Sequence, residues 1–365
     1  MLALRIDMMN KLIIACIVLI ASLSAFAAAS PGYPLAVVDS AGREVVFSQP
    51  QERVIVLNSD AAEAVCILGA SDKIVGVVDS IQSRAYDFPD LLDMPLVGSW
   101  KEFNYEEIGE IAREGGAIPP DIVVIGYVYE GKENGIEAVA EHLAPMGNIS
   151  ILGLDIYKEE NLSRELTILG QVLDREEVAE EYLEWHDRMI ADVEAAVEGN
   201  DSPTVYIEGT ANGLGELTTF GGSSAQQALL DLAGGSNVMT EEIAYPKVEW
   251  EWVVERNPDV ILKMSYLSPA DGISGWGESD MGDLDAIMDE IKSRPGAEGL
   301  SAVKTGRVYI VFAQVLFGLD NVAGLSYLAE ALHPEIDLNP RGVLQEYLDR
   351  RGLEMSEDRI FVYPA

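Results

Sequence analysis

The chain of 365 residues contains only two cysteines and three histidines. Cys16 lies inside an N-terminal apolar run, so removal of that run leaves Cys66 without a partner for a disulfide. His142, His186 and His333 are far apart in sequence, whereas a zinc site normally needs several His or Cys ligands. No motif of the serine-nucleophile, P-loop or metalloprotease kind occurs. The sequence therefore predicts no disulfide framework, no intrinsic metal site or cofactor, and no enzyme.

Basic residues are also few. The chain has 24 Lys and Arg against 62 Asp and Glu, which gives a formal net charge of −38 at pH 7. A field of that sign repels the phosphate backbone of nucleic acids and the surface of anionic lipids. The composition therefore excludes nucleic acid and acidic membrane surfaces as predicted partners.

Long apolar runs are absent apart from residues 12–29, which carry no charge and follow Lys11. The run ends in AFAAA at 25–29, where small residues have the spacing that a signal peptidase accepts. We therefore predict a signal peptide over residues 1–29 and an extracytoplasmic location for the remainder. An uncleaved membrane anchor is the alternative, because about 18 apolar residues can just span a bilayer.

One pattern occurs twice in the chain. The first copy has FNYEEI at 103–108 and PDIVVI at 120–125, and the second has VEWEWV at 248–253 and PDVIL at 258–262. Each copy is a short acidic amphipathic helix, a Pro-Asp turn and an apolar run of strand length. The repetition predicts two lobes of similar plan. Chance similarity between two β-α-β units is the alternative, since such units share composition.

Apolar segments of strand length alternate with helical segments in each half. The predicted strands are 54–57, 74–77, 95–97, 122–125 and 149–152 in the first half, and 204–207, 260–262 and 308–311 in the second. Strands separated by helices form parallel sheets, and ligands bind beyond the carboxyl ends of those strands. The predicted fold class is α/β, with two Rossmann-like lobes on mostly parallel sheets.

The segment between the two halves is helical in composition from 161 to 197, with a break at Asp174. The second piece, 175–197, would be about 34 Å long at 1.5 Å per residue. We predict that it is one long rigid helix joining the lobes. The predicted divisions are an N-terminal lobe over 33–158, a helical linker over 159–201 and a C-terminal lobe over 202–365.

Several short motifs in a fixed order resemble the periplasmic binding proteins of the iron-siderophore, haem and vitamin B12 class. The resemblance covers nearly the whole chain after the signal peptide. Its motifs are VIVL at 54–57, AE at 62–63, LGA at 68–70, IVG at 74–76, VGSW at 97–100, NYEEI at 104–108, PDIV at 120–123, GGSN at 234–237 and PDV at 258–260. The resemblance implies a receptor that delivers its ligand to the permease of an ATP-driven importer.

In such proteins a glutamate at the tip of each lobe engages arginines on the permease dimer. Glu106 and Glu251 occupy the matching positions in the two copies of the repeat. The resemblance therefore implies that both residues dock onto the permease, whose ATPase subunits supply the energy. The alternative is that both are ordinary first-turn acids, which the helix dipole favours.

The resemblance implies that the ligand lies between the lobes, where aromatic walls would suit a corrin, a porphyrin or a catecholate complex. Two aromatic residues precede the repeated helices and four follow the Pro-Asp strands. The candidates are Trp100, Tyr127, Tyr129, Tyr245, Tyr266 and Trp276. The alternative for each is an ordinary packed aromatic side chain. A long Gly- and Ser-rich segment at 265–280 departs from the family pattern and leaves the ligand's identity open.

Four of the nine lysines also fall on these segments: Lys101, Lys132, Lys247 and Lys263. Positive charge collected in the cleft of an acidic protein would attract an anionic chelate. The alternative is that they are solvated surface lysines. The predicted function is that of an extracytoplasmic receptor for an iron complex of the ferric siderophore kind. A cobalamin or haem receptor on the same fold and a secreted α/β hydrolytic enzyme are the alternatives.

Overall fold

The N-terminal lobe is built on a four-stranded parallel sheet with the strand order β4-β3-β7-β8. The computed structural model describes residues 32–113, 116–211, 213–265, 275, 281–355, 357 and 359–364. All five residues of the central strand β7 are buried, as expected where helices cover both faces of a sheet. The strands of this lobe are β1 (Leu35–Val38), β2 (Glu44–Phe47), β3 (Arg53–Val56), β4 (Ile74–Gly76), β5 (Gly98–Ser99), β6 (Glu102–Phe103), β7 (Ile122–Gly126) and β8 (Ser150–Gly153).

Three helices cover this sheet: α1 (Ser59–Ile67), α2 (Tyr105–Ala112) and α3 (Ile136–Leu143). Strands β1 and β2 form the antiparallel hairpin expected at the entry to the lobe. The predicted strand at 95–97 is reduced to a single parallel bridge between Val77 and Leu96.

Two consecutive helices connect the lobes. Helix α4 (Glu159–Leu173) ends at Asp174, whose φ of 58° turns the chain, and α5 (Glu176–Val197) follows at once. The 22 residues of α5 span about 33 Å at 1.5 Å per residue. The predicted long helix and its break at Asp174 are therefore confirmed. The residue boundaries assigned to the lobes stay predictions.

The C-terminal lobe has a seven-stranded sheet in which β9, β11, β13 and β14 run parallel. Strands β10, β12 and β15, at the two ends of the sheet order, pair antiparallel, which the sequence did not predict. The strands are β9 (Thr204–Ala211), β10 (Leu217–Thr219), β11 (Ser236–Asn237), β12 (Lys247–Val248), β13 (Val260–Ser265), β14 (Val308–Phe312) and β15 (Val362–Tyr363). The helices are α6 (Ala225–Leu232), α7 (Trp250–Arg256), α8 (Met281–Ser293), α9 (Ser301–Lys304), α10 (Asn321–Leu332) and α11 (Pro340–Arg351).

The predicted α/β fold with two mostly parallel sheets is confirmed. Helix α5 packs against α4 on one side and against α10 of the C-terminal lobe on the other. The Tyr182 hydroxyl of α5 donates to the Leu319 carbonyl oxygen at 2.5 Å, and His186 lies 3.1 Å from the Asn321 amide oxygen. Within the described part of the chain, no helix is both long enough and apolar enough to cross a bilayer.

Buried hydrogen bonds join the two lobes directly. Glu63 on α1 accepts from the Tyr347 hydroxyl of α11 at 2.5 Å and from the Leu319 backbone N–H at 3.0 Å. Gly318 lies so close to Glu63 that an added Cβ would stand 2.9 Å from its carboxylate oxygen. The C-terminal helix therefore closes onto the first helix of the N-terminal lobe.

Charged groups extend this contact into a buried ionic cluster, which we define as Glu63, Arg84, Asp87, Asp320 and Arg351. Arg84 lies 2.6 Å from Asp87 and 3.6 Å from Glu63, and Arg351 lies 3.7 Å from Asp87 across the lobe boundary. The cluster has three carboxyl groups for two guanidinium groups. Burial, with the nearby charges of Glu63 and Asp87, raises the pKa of Asp320 well above its ordinary value.

The raised pKa of Asp320 makes stability depend on pH. A carboxyl group whose pKa is higher in the folded state favours folding at low pH, and this contribution is lost as pH rises above its unfolded value near 4. We expect Asp320→Asn to flatten that part of the pH dependence and to stabilise the protein at neutral pH, because the amide never has to carry a buried charge. Urea unfolding from pH 4 to pH 8 measures it, with the exposed Asp187→Asn on α5 as control. Parallel curves for Asp320→Asn and the wild type would contradict it.

Candidate ligand-binding cleft

Three tyrosine rings form a cluster on the N-terminal lobe. The ring centroids of Tyr127 and Tyr129 are 4.7 Å apart, and those of Tyr127 and Tyr157 are 5.4 Å apart. The Tyr127 hydroxyl donates to the Asp60 carboxylate at the start of α1. Tyr127 and Tyr157 follow the neighbouring parallel strands β7 and β8, whose carboxyl ends lie at one edge of the sheet. The topology therefore brings the three rings together.

The loop that carries this cluster is tightly folded. Tyr129 has a φ of +34°, which is uncommon for a residue with a side chain. An added Cβ at Gly135 would collide with the Tyr129 and Val128 carbonyl oxygens, and the Ile136 N–H donates to the Tyr127 oxygen at 2.9 Å. The start of α3 therefore holds the tyrosine loop in one conformation. Backbone strain such as the positive φ of Tyr129 is concentrated at functional sites.

The facing wall belongs to the C-terminal lobe and carries Tyr245. Its ring packs edge-on against Phe220 with the centroids 5.6 Å apart, yet 55% of the residue is exposed. Backbone hydrogen bonds pair the two segments, since the Gly221 N–H donates to the Ala244 oxygen at 3.1 Å. An added Cβ at Gly221 would collide with the Ile243 carbonyl oxygen, so this wall also depends on a glycine.

A cavity of about 590 Å³ lies between these walls. It takes residues from the end of the N-terminal lobe, from the start of α6 and from the segment before α10. The lining residues that matter most here are Tyr157, Lys158, Ser224, Tyr245, Phe317 and Asn321. Its size falls within the range of small-molecule sites.

The phenols around this cavity are held in their protonated form. Burial raises the pKa of Tyr127 well above 10, with the Asp60 charge adding to it. Burial also raises the pKa of Tyr129 to about 12, helped by Tyr157, Asp60, Asp155 and, more weakly, by the Tyr245 phenol of the other lobe. Both hydroxyls therefore stay protonated at neutral pH, but the Tyr127 proton is already donated to Asp60. The effect of Tyr245 on Tyr129 shows that the two walls lie within electrostatic reach of one another.

Trp100 and Lys101 form the tip of the β5–β6 hairpin, and the Lys101 ammonium lies 4.8 Å from the Trp100 ring centroid. The Asn134 amide donates to the Trp100 carbonyl oxygen at 3.2 Å, which ties this tip to the tyrosine loop. Trp100 is 38% exposed. It does not line the cavity, so its predicted contact with the ligand stays a prediction.

Two of the lysines that were predicted to make the cleft cationic are instead paired with carboxylates. Lys263 is buried in β13, donates to the Gly209 carbonyl oxygen and lies 3.3 Å from the Glu208 carboxylate. Lys247 is exposed but lies 3.1 Å from Glu216. Both faces of β13 are buried and Lys263 is paired in register with Glu208 on β9, so its charge lies inside the lobe and not in the cleft. Lys132 is exposed in the tyrosine loop.

Tyr266 and Trp276 lie outside the described residues, so their predicted role stays a prediction. Sequence reasoning missed Tyr157, Asp60 and Phe220. The signal for Tyr157 was present, because it follows strand β8 just as Tyr127 follows β7. Asp60 and Phe220 carried no such signal, since their proximity to the tyrosines depends on the packing of α1 and on the pairing of 219–222 with 241–246.

The two predicted docking glutamates occupy equivalent places. Glu106 and Glu251 lie in the first turns of α2 and α7, both are exposed, and neither forms an ion pair with a described residue. Each follows its lobe's aromatic candidate by six residues, since 106 − 100 and 251 − 245 both equal 6. Aromatic side chain, short strand and helix therefore recur in the same order in both lobes.

Other parts of the described structure do not compete with this cleft. No group of three or more His, Cys, Asp or Glu side chains is placed to hold a metal ion in the described ranges. A second cavity, of about 570 Å³, lies near Tyr327 and Phe361 and takes all its lining residues from the C-terminal lobe. It is therefore separate from the space between the lobes.

Comparison with known proteins agrees with this architecture. The family model described as periplasmic binding protein matches residues 54–315. The vitamin B12-binding protein of Yersinia pestis (strain Pestoides F) is 23% identical over 236 residues, which cover 63% of this chain and 75% of that protein. The solved structure of the TroA-like periplasmic binding protein FepB from Veillonella parvula has 24% identity and a TM-score of 0.75, and covers 90% of this chain and 99% of its own.

A periplasmic heme binding protein from Pseudomonas aeruginosa is also similar in structure, with 22% identity, a TM-score of 0.56 and coverage of 78% of this chain and 94% of its own. The chain belongs to the periplasmic binding protein family. As a member of this family it is a solute-binding protein rather than an enzyme, and it works outside the cytoplasm. The leader over residues 1–29 and the anchor alternative lie outside the described residues and stay predictions.

The two walls predict how affinity responds to the loss of an aromatic side chain. We expect Tyr245→Ala and Trp100→Ala each to weaken ligand binding by about 1–3 kcal/mol, because exposed rings beside a cavity supply contact area at low entropic cost. Titration calorimetry on the folded proteins measures the change. Tyr363→Ala, on the edge strand β15, is the control and should bind like the wild type. Unchanged affinity in both wall variants would make these rings packing residues.

Proposed function

We propose that this protein is the receptor of an ABC importer for an iron complex of the ferric siderophore kind. The observation that carries the proposal is the cavity of about 590 Å³ between two lobes, with Tyr157 on one wall and Tyr245 on the other. Flat rings and protonated phenols suit a chelate that presents both apolar surface and oxygen acceptors. Trp100, Lys101, Tyr127 and Tyr129 extend the N-terminal wall.

The proposal includes delivery to a permease dimer with its ATPase subunits. Glu106 and Glu251 present unpaired carboxylates on equivalent helices, which suits a partner with two equivalent basic pockets. The buried ionic cluster lies between the lobes, which suits a receptor whose lobes keep their relative orientation.

A cobalamin receptor is the second candidate, because a similar protein of Yersinia pestis is named a vitamin B12-binding protein. The absorption spectrum of protein purified from its native host distinguishes the ligands. A broad charge-transfer band identifies a ferric siderophore, a corrin spectrum identifies cobalamin, and a Soret band identifies haem. Recovery of a corrin or haem spectrum would overturn the iron-siderophore assignment.

The docking role of the two glutamates predicts a separation between binding and transport. We expect Glu106→Ala and Glu251→Ala each to reduce uptake while leaving ligand affinity unchanged, because both residues lie on helices rather than in the cavity. A buried charge pair that loses one partner costs about 2–5 kcal/mol, so the double variant should nearly abolish uptake.

Uptake into cells and calorimetry on the isolated protein measure the two effects. Glu184→Ala, an exposed acid on α5, is the matched control and should transport normally. Normal uptake by the double variant, or loss of ligand binding in isolation, would contradict the docking role.

A further inference from the structure

We propose that the cleft selects a metal complex that carries no net negative charge, as a neutral ferric trihydroxamate does. This inference rests on the proposed function and names the class of complex within it. Its basis is the distribution of charge around the cavity, which differs from the cationic cleft that the sequence predicts.

The cavity wall itself carries more acid than base. Among its described lining residues, Glu160 and Asp231 are acidic and exposed, and Lys158 is basic. The Lys158 ammonium lies 2.8 Å from the buried Asp155 carboxylate. Lys158 is therefore already paired with Asp155 and does not compensate the carboxylates of Glu160 and Asp231 at the wall.

Groups just behind the wall have the same sign. Asp60 lies under the tyrosine cluster and accepts from the Tyr127 hydroxyl, which neutralises none of its charge. On the facing wall, Gly222 lies so close to Glu242 that an added Cβ would stand 2.8 Å from its carboxylate oxygen. Asp60 therefore adds negative charge behind the tyrosine cluster, and Glu242 adds it beside Gly222, which lines the cavity.

The described lysines predicted for the cleft compensate little of this. Lys263 is paired inside the lobe with Glu208, whose carboxylate also lies 2.6 Å from Arg294. Lys247 is paired with Glu216. Lys101 and Lys132 remain, both exposed.

The charge of the ligand then decides affinity. Three hydroxamates balance the charge of ferric iron, whereas three catecholates leave a trianion, and ferric haem keeps a net negative charge through its two propionates. Like charges a few ångströms apart in a partly buried site are strongly unfavourable, so the trianion is disfavoured. The Tyr127 hydroxyl already donates to Asp60, whereas the Tyr129 and Tyr157 hydroxyls can donate to the neutral oxygens of a trihydroxamate or a corrinoid amide.

The test compares complexes of similar size and different charge. Full-length mature protein is titrated with a neutral ferric trihydroxamate, a monocationic linear ferric trihydroxamate and a trianionic ferric tris-catecholate, with fluorescence quenching as readout. We expect both trihydroxamates to bind at least about tenfold more tightly than the trianion. Equal or tighter binding of the trianion would overturn the inference while leaving the proposed function intact. Failure of all three complexes to bind would overturn the proposed function.

A charge-neutralising variant tests the cause. The double variant Glu160→Gln, Asp231→Asn keeps the shape of the wall and should tighten binding of the trianion several-fold, with little change for the neutral complex. Raising the salt concentration should likewise reduce the preference of the wild type for the neutral complex over the trianion. Asp187→Asn, on the exposed face of α5, is the control and should bind all three complexes like the wild type. An unchanged affinity of the double variant for the trianion would overturn the assignment of selectivity to these acids.

Discussion

The contact of Glu63 with the C-terminal lobe is the constraint on which the rest of the structure depends. Its carboxylate sits on the first helix of one lobe and accepts hydrogen bonds from Tyr347 and Leu319 of the other. Removing one partner of a buried charge leaves an uncompensated group, which costs far more than an exposed pair gains. The lobes therefore cannot separate at this point without exposing Arg84 and Asp87 as well. Together with α5, the cluster holds the two lobes together beside the cavity, whose lining includes Gly318.

The shape of the cleft is decided by its two walls. Each wall is a loop held in place by a glycine, Gly135 under Tyr129 and Gly221 under the 241–246 segment. Neither loop can shift without breaking the backbone hydrogen bonds that hold it in place. Binding therefore requires little ordering of the protein, and preorganisation of this kind contributes to affinity by reducing the entropic cost.

Much of the fold followed from the sequence, because its pattern is local. The repeat, the Pro-Asp strands and the break at Asp174 are read from neighbouring residues, and the structure has each of them. Lys263 shows where local reading fails: it lies within the fully buried strand β13, where the register with β9 pairs it with Glu208, which is distant in sequence. Asp60 and Glu63 contact residues that are distant in sequence, so only the folded chain reveals the tyrosine cluster and the junction between the lobes.

The strong acidity of the chain extends to the lining of the cleft. A net charge of −38 repels anionic partners everywhere on the surface, and the cavity does not reverse that sign locally. A receptor for an anion would need to collect its few basic residues at the ligand, yet Arg84, Arg294 and Arg351 are all committed to buried carboxylates. These three arginines therefore hold the fold together, whereas Lys101 and Lys132 stay exposed on the N-terminal side of the cleft. Under the proposed function, recognition in the cleft depends mainly on aromatic rings and phenols, and the exposed Glu106 and Glu251 are left to face the permease.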